Sequence, residues 1–204
     1  MAIGDLEGTV YNDGMQRLAS WATDFNGVAD PLRRAARIMA AYAHVMAQVI
    51  ESQTLAMTAI TDRMAVVNDV LDAANRSLTL NKDRGEGDVF DWVVGSKAQV
   101  DLIATVLRSE TDVKETPTGA TYGGWFQVQN VDSNTWKIVT DRRDLTGITD
   151  SLQIALQKLG GTQQNDTTRV QTSASRLNTT TELVSSLIKK RETQSDSEGN
   201  NLRR

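Results

Sequence analysis

The chain has 204 residues, and its composition excludes several classes of function. Apolar residues make up 39% and aromatic residues 5%, enough for helical seams and one small compact module but not for a large enzyme core. The net charge of −4 gives no general attraction to nucleic acid. Because the chain contains no cysteine, disulfides, thiolate metal sites and cysteine nucleophiles are excluded.

Residues 1–30 predict a tail followed by a short amphipathic helix. The tail has neither a basic region nor an apolar core, so it is not a Sec-type signal peptide. Apolar residues recur at helical spacing from Tyr11 to Phe25, which is typical either of a small helix packed on the body or of an assembly helix. The most apolar stretch, residues 38–50, is too short to span a bilayer, so no membrane insertion is expected.

Residues 31–84 predict one long helix, with Asp30 suited to the N-cap and Pro31 to the first turn. Apolar residues recur in alternating steps of four and three, the heptad pattern of a coiled coil, and only Gln53 interrupts them. Such a helix spans on the order of 80 Å and needs another long helix to cover its stripe. Its predicted seam includes Met39, Met46, Ile50, Met57, Ile60, Met64, Val67 and Leu71.

The first half of this helix carries further apolar residues off the seam, which predicts coverage on two sides. Tyr42, Val45 and Val49 are therefore candidates for self-assembly contacts. The basic residues at 33, 34 and 37 lie unfavourably near a helix N-terminus and hint at an acidic partner, although a solvated face is the preferred interpretation.

Residues 85–147 predict a small α+β insert with its own core. Residues 90–94 form a short apolar knot, and residues 97–108 have the pattern of a short helix. Residues 125–131 and 135–140 flank a turn and together predict a β-hairpin.

Residues 148–204 predict a second long helix, capped by Thr149 or Asp150. Gly160 and Gly161 either break this helix or let a partner approach closely, and the sequence leaves both open. About half of the segment after residue 162 is Ser, Thr, Asn or Gln, so the helix is weak in isolation and needs a docking partner. Its predicted seam includes Val170, Leu177, Val184 and Ile188.

Leu183 and Leu187 lie on a face adjacent to that seam and are the remaining self-assembly candidates. An apolar pair on a helix otherwise rich in Ser and Thr is expected to be covered by a neighbour. For Leu187 the alternative is that it widens the intramolecular seam, and both interpretations stay open.

No catalytic, cofactor-binding or metal-ligating residue is predicted. His44 is the only histidine, and a lone histidine among apolar residues is most often a packed or surface side chain. No group of residues has metal-ligand spacing, and no glycine-rich stretch has a phosphate-binding pattern. Asp62 and Asp69, with Arg63 nearby, are interpreted as a solvated helix face.

Two segments resemble the secreted filament and needle-tip proteins of bacterial type III secretion systems. The stretch from Thr61 to Leu71 (Thr-Asp-Arg-Met-Ala-Val-Val-Asn-Asp-Val-Leu) resembles their first helix. The matching C-terminal features are Asp166 to Val170, Ser175 to Asn178, Ser186 to Lys190 and Asn201 to Arg203. The resemblance covers roughly residues 40–80 and 150–204, and the insert between them shows no match to the family.

The resemblance implies a helical extension of the secretion needle, or a cap at its tip, in which paired terminal helices form the core. It also implies export without a cleaved signal peptide to the bacterial surface. The implied partners are further copies of the chain, needle and translocator proteins, and a cytoplasmic export chaperone. The end of this chain, residues 195–201, is more polar than the apolar last turn typical of the family.

We therefore expect a mainly α protein whose long N- and C-terminal helices form a coiled-coil hairpin, with a small α+β insert between them. The expected function is that of a non-enzymatic, self-assembling component of a filament or tip complex that conducts exported proteins towards a host cell. One alternative is a cytoplasmic coiled-coil adaptor or secretion chaperone that does not polymerise. Another is an enzyme whose active site lies in the insert.

Overall fold

The computed structural model describes residues 12–17, 19–21, 30–117 and 119–201, with side chains up to residue 197. It is mainly helical (73%), with two long helices separated in the chain by a small four-stranded sheet. The predicted class, mainly α with long terminal helices, is confirmed at that level. The coiled-coil hairpin stays a prediction.

The first long helix, α1 (Pro31–Leu80), begins where its predicted N-cap places it. Asp30 Oδ1 accepts hydrogen bonds from the backbone N–H of Leu32 at 2.9 Å and of Arg33 at 3.2 Å. These bonds satisfy two of the donors that the start of a helix leaves without an intrahelical partner. The helix ends before the predicted boundary at residue 84, because residues 81–84 form turns.

The described N-terminal residues are helical and pack on α1. Trp21 packs against the cluster around Val45. Gly14 lies so close to the same valine that an added Cβ would be 2.3 Å from Val45 Cγ1, so this contact requires glycine. The rest of the predicted amphipathic pattern, including Tyr11 and Phe25, lies outside the described residues.

Between the long helices the chain forms four strands and one short helix. The elements are β1 (Phe90–Gly95), α2 (Lys97–Glu110), β2 (Glu115–Thr116), β3 (Phe126–Asn130) and β4 (Trp136–Thr140). Strands β1 and β4 pair antiparallel, as do β3 and β4, whereas β2 runs parallel to β3, giving the order β1-β4-β3-β2. The short helix α2 and the β3–β4 hairpin lie near their predicted positions, but neither β1 nor the two-residue β2 was predicted.

Local hydrogen bonds fix the start of α2 and the hairpin turn. Ser96 and Gln99 form a capping box, in which each side chain accepts a hydrogen bond from the other residue's backbone N–H. In the hairpin, Asp132 Oδ1 accepts from the backbone N–H of Asn134 at 2.9 Å and of Thr135 at 2.8 Å. Both arrangements are short-range, which is why the sequence pattern located them well.

The second long helix, α3 (Arg142–Asn201), begins earlier than the predicted boundary at residue 148. The cap is Asp141, whose Oδ1 accepts a hydrogen bond from the backbone N–H of Asp144 at 2.7 Å. The helix continues through Gly160 and Gly161 without a break. Of the two possibilities left open for these glycines, the break is therefore wrong.

The chain divides into two compact units, each of which contains part of both long helices. Unit 1 comprises Met1–Ala59 and Gln164–Arg204, and unit 2 comprises Ile60–Gln163. The predicted insert, residues 85–147, lies within unit 2, which also contains the adjoining ends of α1 and α3.

The core of unit 2 joins the sheet to the helices. Trp125 packs against α3 at Gly147, where an added Cβ would be 2.4 Å from Trp125 Cζ3. Large apolar side chains from strands and helices are fully buried there, as expected for a close-packed interior. They are Ile60, Val67, Val100, Leu107, Phe126, Ile138, Leu145, Ile148 and Leu152.

Candidate functional site

Five members of the heptad series on α1 are deeply buried. They are spaced seven residues apart: Met46, Gln53, Ile60, Val67 and Ala74. The intervening members of the predicted seam are half-buried; they are Met39, Ile50, Met57, Met64 and Leu71.

Burial on α1 also extends to one side of the predicted seam. Val49, Val70 and Ser77 each precede a half-buried member of the series, and all three are buried. The apolar face of a helix in a globular protein covers three to four positions in two turns, wider than a coiled-coil seam. The buried stripe of α1 therefore has the width of a globular helix face.

On the part of α3 that belongs to unit 1, the deeply buried positions are polar. Asp166, Ser173 and Thr180 are buried at heptad spacing. The pattern of apolar residues gave no signal for them, because their side chains are polar. The predicted seam residues beside them are Val170, Leu177, Val184 and Ile188. The first three are half-buried, and Ile188 is 46% exposed.

The candidates for self-assembly separate into two groups. Val45 and Val49 are buried, and Tyr42 is partly buried against the same cluster, so their burial is accounted for within one chain. On α3, Leu183 is 46% exposed and Leu187 is half-buried. Leu183 therefore remains available to a neighbour, whereas Leu187 is partly covered by its own chain.

Among the described residues of unit 1, two buried polar atoms have no hydrogen-bond partner. They are Gln53 Oε1 and Asp166 Oδ2. Gln53 is 6% exposed and Asp166 is 4% exposed. The other carboxylate oxygen of Asp166 lies 4.0 Å from Arg169 Nη1. A buried acceptor without a donor is destabilising, so these residues weaken the packing of unit 1.

A small groove lies in unit 1 beside the start of α1. Its volume is about 250 Å³, and its rim carries Arg33, Arg37, Arg191 and Glu192. We call it the unit 1 groove. Its floor is apolar and consists of Leu32, Ala36, Ala40, Val184, Leu187 and Ile188.

An ion pair next to this groove joins the two long helices. Arg191 Nε lies 2.9 Å from Asp30 Oδ2. The pKa of Asp30 is below its ordinary value of 3.8, first because the backbone N–H of Arg33 donates to the carboxylate; desolvation opposes this shift, and Arg191 adds to it. The N-cap and the ion pair thus both favour the charged form of Asp30.

In unit 2 the most connected polar side chain is Tyr122. Its hydroxyl group lies 2.7 Å from Asp144 Oδ2 and 3.1 Å from the Trp125 carbonyl oxygen, and it accepts a hydrogen bond from the backbone N–H of Asp141 at 3.2 Å. Burial, the largest cause, raises the pKa of Tyr122 well above its usual range. A neutral tyrosine that ties a loop to the start of α3 is a structural arrangement.

The remaining groups with possible chemistry lie on the surface. His44 is exposed and its Nε2 is 3.4 Å from Gln48 Nε2, in line with its interpretation as a surface side chain. A polar cleft of about 250 Å³ in unit 2 is lined in part by Ser109, Glu110 and Lys158. Among the described residues, no three or more His, Asp or Glu side chains are grouped so that they could hold a metal ion.

No helix within the described part of the chain is both long enough and apolar enough to cross a membrane. No protein-family model, curated protein or solved structure matches this chain.

Proposed function

We propose that this protein is a self-assembling structural component of a type III secretion needle extension, either a filament or a tip complex. In that role it carries exported proteins towards a host cell and acts at the bacterial surface. Its partners are copies of itself, needle and translocator proteins, and a cytoplasmic export chaperone. The proposal rests on the resemblance of the two long-helix segments and on the packing of unit 1.

The observation that carries the proposal is the mismatch between burial and polarity on α3. Within unit 1 this helix buries Asp166, Ser173 and Thr180 but exposes Leu183 and Ile188. Packing of an apolar face supplies most of the stability of a helix in a protein. Because the apolar residues of this helix are incompletely covered within one chain, neighbouring copies are the proposed cover.

The proposal includes an antiparallel pairing of α1 and α3 as a coiled-coil hairpin. In unit 1 the start of α1 contacts the last part of α3 through Asp30 and Arg191. In unit 2 Gln163 Nε2 lies 3.0 Å from Thr61 Oγ1. Asp30 contacts Arg191, and Thr61, which comes later in the chain than Asp30, contacts Gln163, which comes earlier than Arg191. An antiparallel arrangement requires this order.

Polymerisation is tested with the purified chain by electron microscopy and sedimentation over a range of concentrations. We expect long assemblies whose fraction rises with concentration. We also expect Leu183→Asp to lower that fraction while leaving the helical circular dichroism unchanged, because the charge would be buried at the contact between copies. The control is Ser186→Asp, which places the same charge at a nearby exposed position of the helix.

The result also separates the proposal from its alternatives. A small oligomer of fixed size at every concentration would favour the non-polymerising adaptor. Export is tested by expressing the chain in bacteria with a functional or an inactivated type III secretion system. Equal amounts in the two culture media, or none in either, would contradict the secretion role.

A further inference from the structure

The exposed apolar side chains of the described residues include one extreme case, at the end of α1. Leu80 is the last residue of that helix and is 84% exposed, more than any other large apolar side chain in the described part of the chain. Val89, which is 46% exposed, follows at the other end of the α1–β1 loop, residues 81–89. Both residues belong to unit 2.

The α1–β1 loop is held in place by its own hydrogen bonds. Asp88 Oδ2 accepts from the backbone N–H of Gly85 at 2.8 Å, and the Asp88 N–H donates to the Gly85 carbonyl at 3.1 Å. The Glu86 carbonyl accepts from the backbone N–H of Arg143 at 3.2 Å, which ties the loop to α3. A surface fixed in this way loses little conformational entropy when it binds.

The charges of the loop and of the unit 1 groove are complementary. The loop carries three exposed carboxylates, on Asp83, Glu86 and Asp88. Its cations are Lys82 and Arg84, and the Arg84 guanidinium lies over the Phe90 ring, 5.5 Å from its centroid. The rim of the groove carries three arginines and one glutamate around an apolar floor, and one of the arginines, Arg191, already forms the ion pair with Asp30. Such complementarity orients two surfaces and excludes wrong pairings.

The size of the groove argues for protein side chains as its occupant. Its volume of about 250 Å³ is below the ~300–1,000 Å³ typical of small-molecule sites. An apolar floor with a charged rim is the arrangement of a protein contact, in which a buried apolar anchor is surrounded by polar groups.

We propose that the unit 1 groove of one copy receives Leu80 and the adjoining α1–β1 loop of a second copy. This inference rests on the proposed self-assembly and specifies its contact. The two surfaces lie in different units of the chain, so the contact is heterologous. Each added copy leaves one groove and one Leu80 free, and growth continues as an open filament or stops when a ring closes.

The test uses one variant on each surface, each at an exposed position. Leu80→Asp places a charge where the anchor should be buried, and Ala40→Glu places one on the groove floor. We expect each to raise the concentration needed for assembly by about ten- to a hundredfold, as for the lost burial of one leucine side chain. The controls are Leu102→Asp in unit 2 and Ala47→Glu on α1, both exposed and outside the groove and the loop.

Mixing the two assembly-defective variants gives the decisive measurement. Leu80→Asp keeps an intact groove and Ala40→Glu keeps an intact Leu80, so together they can form a single contact. We expect the equimolar mixture to sediment as a heterodimer, whereas each variant alone sediments as a monomer. All samples are first compared by circular dichroism, and only those with wild-type helicity enter the comparison.

The possible failures are distinguishable. If the wild-type chain does not assemble at any concentration, the proposed function itself is wrong. If the wild type assembles and both groove and loop variants assemble equally well, self-assembly stands but uses another contact. A mixture of the two variants that stays monomeric, beside a wild type that polymerises, would also overturn this contact.

Discussion

Unit 1 and unit 2 share the same two long helices but are stabilised differently. In unit 2 the sheet and α2 supply a compact apolar core in which Phe126, Ile138 and Leu152 are completely buried. In unit 1 the buried apolar residues among those described all lie on α1, and the buried residues of α3 are polar. The comparison shows that, among the described residues, unit 2 buries many large apolar side chains from strands and helices, whereas unit 1 buries few, and that one of its two long helices buries only polar side chains.

The same substitution at matched positions of α1 gives the largest expected difference between the units. Val67 in unit 2 and Val45 in unit 1 are both 1% exposed. We expect Val67→Ala to lower the free energy of unfolding by about 2–3 kcal/mol, because a close-packed core cannot collapse onto the cavity. Val45→Ala should cost only about 1 kcal/mol, because fewer large apolar side chains are buried in unit 1.

Hydrogen exchange of peptides from residues 38–50 and 62–75 measures these losses separately in the two units. It should be done at low protein concentration, since the proposed assembly would add protection to unit 1. Equal losses at both positions would show that unit 1 is packed as tightly as unit 2.

The unpaired buried amide oxygen of Gln53 gives the next effect, with the opposite sign. Replacing Gln53 by Met keeps the side-chain length and removes Oε1, which is buried without a hydrogen-bond partner. We expect the free energy of unfolding of unit 1 to rise by about 1–2 kcal/mol. Chemical denaturation followed by circular dichroism measures the change.

The matched control for Gln53→Met is Gln164→Met, an exposed position of unit 1, where the change should stay within about 0.5 kcal/mol. If Gln53→Met destabilises the chain, the Gln53 amide has a partner that contributes to stability. A higher free energy of unfolding would mean that the polar side chain of Gln53 lowers the stability of unit 1. Polar residues in coiled-coil seams have the same cost when they fix the register of the helices.

The carboxylate of Asp30 gives the smallest effect, confined to acid pH. Its pKa in the folded chain is below the ordinary 3.8, so the charged form stabilises the fold above that value. That stability is lost as the pH falls below about 4 and through the folded pKa. We expect faster hydrogen exchange at residues 31–37 in this range, with little change in unit 2.

Two variants separate the causes of this acid effect and test the antiparallel helix pair. Asp30→Asn keeps a good N-cap but removes the charge, so the acid-dependent loss should disappear. Arg191→Gln should reduce the loss only in part, because the backbone N–H of Arg33 is the first cause of the lowered pKa. An acid titration unchanged by Arg191→Gln would argue against the proposed antiparallel pairing of α1 with α3.

Local signals in the sequence predicted much of the secondary structure. Asp30 and Pro31 marked the start of α1, and the turn at residues 132–134 marked the β3–β4 hairpin. The start of α3 was placed too late because Thr149 and Asp150 are also good caps, and sequence cannot show that Asp141 is the one in use. The β1 strand was missed because a short apolar run has no period that separates strand from helix.

The candidate site was less predictable, because apolar residues alone carried the signal. The pattern located Ile60 and Val67, which are buried, but placed Ile188 in the seam although it is 46% exposed. It gave no reason to expect Asp166 or Thr180 at buried positions. The groove brings residues near 32–40 together with residues near 184–192, and no pattern in a single segment indicates such a contact.

By itself, therefore, the sequence determined the mainly helical class, the long helices and the lack of cysteine chemistry. These features follow from short-range physical effects: helix capping, apolar periodicity and, for α1, the absence of glycine and proline from residues 32–80. The tertiary structure alone decided which face of each helix is buried, where the two units divide and which residues line the groove. Those features depend on packing between distant segments, where the space left by one helix decides which side chain of the other is buried.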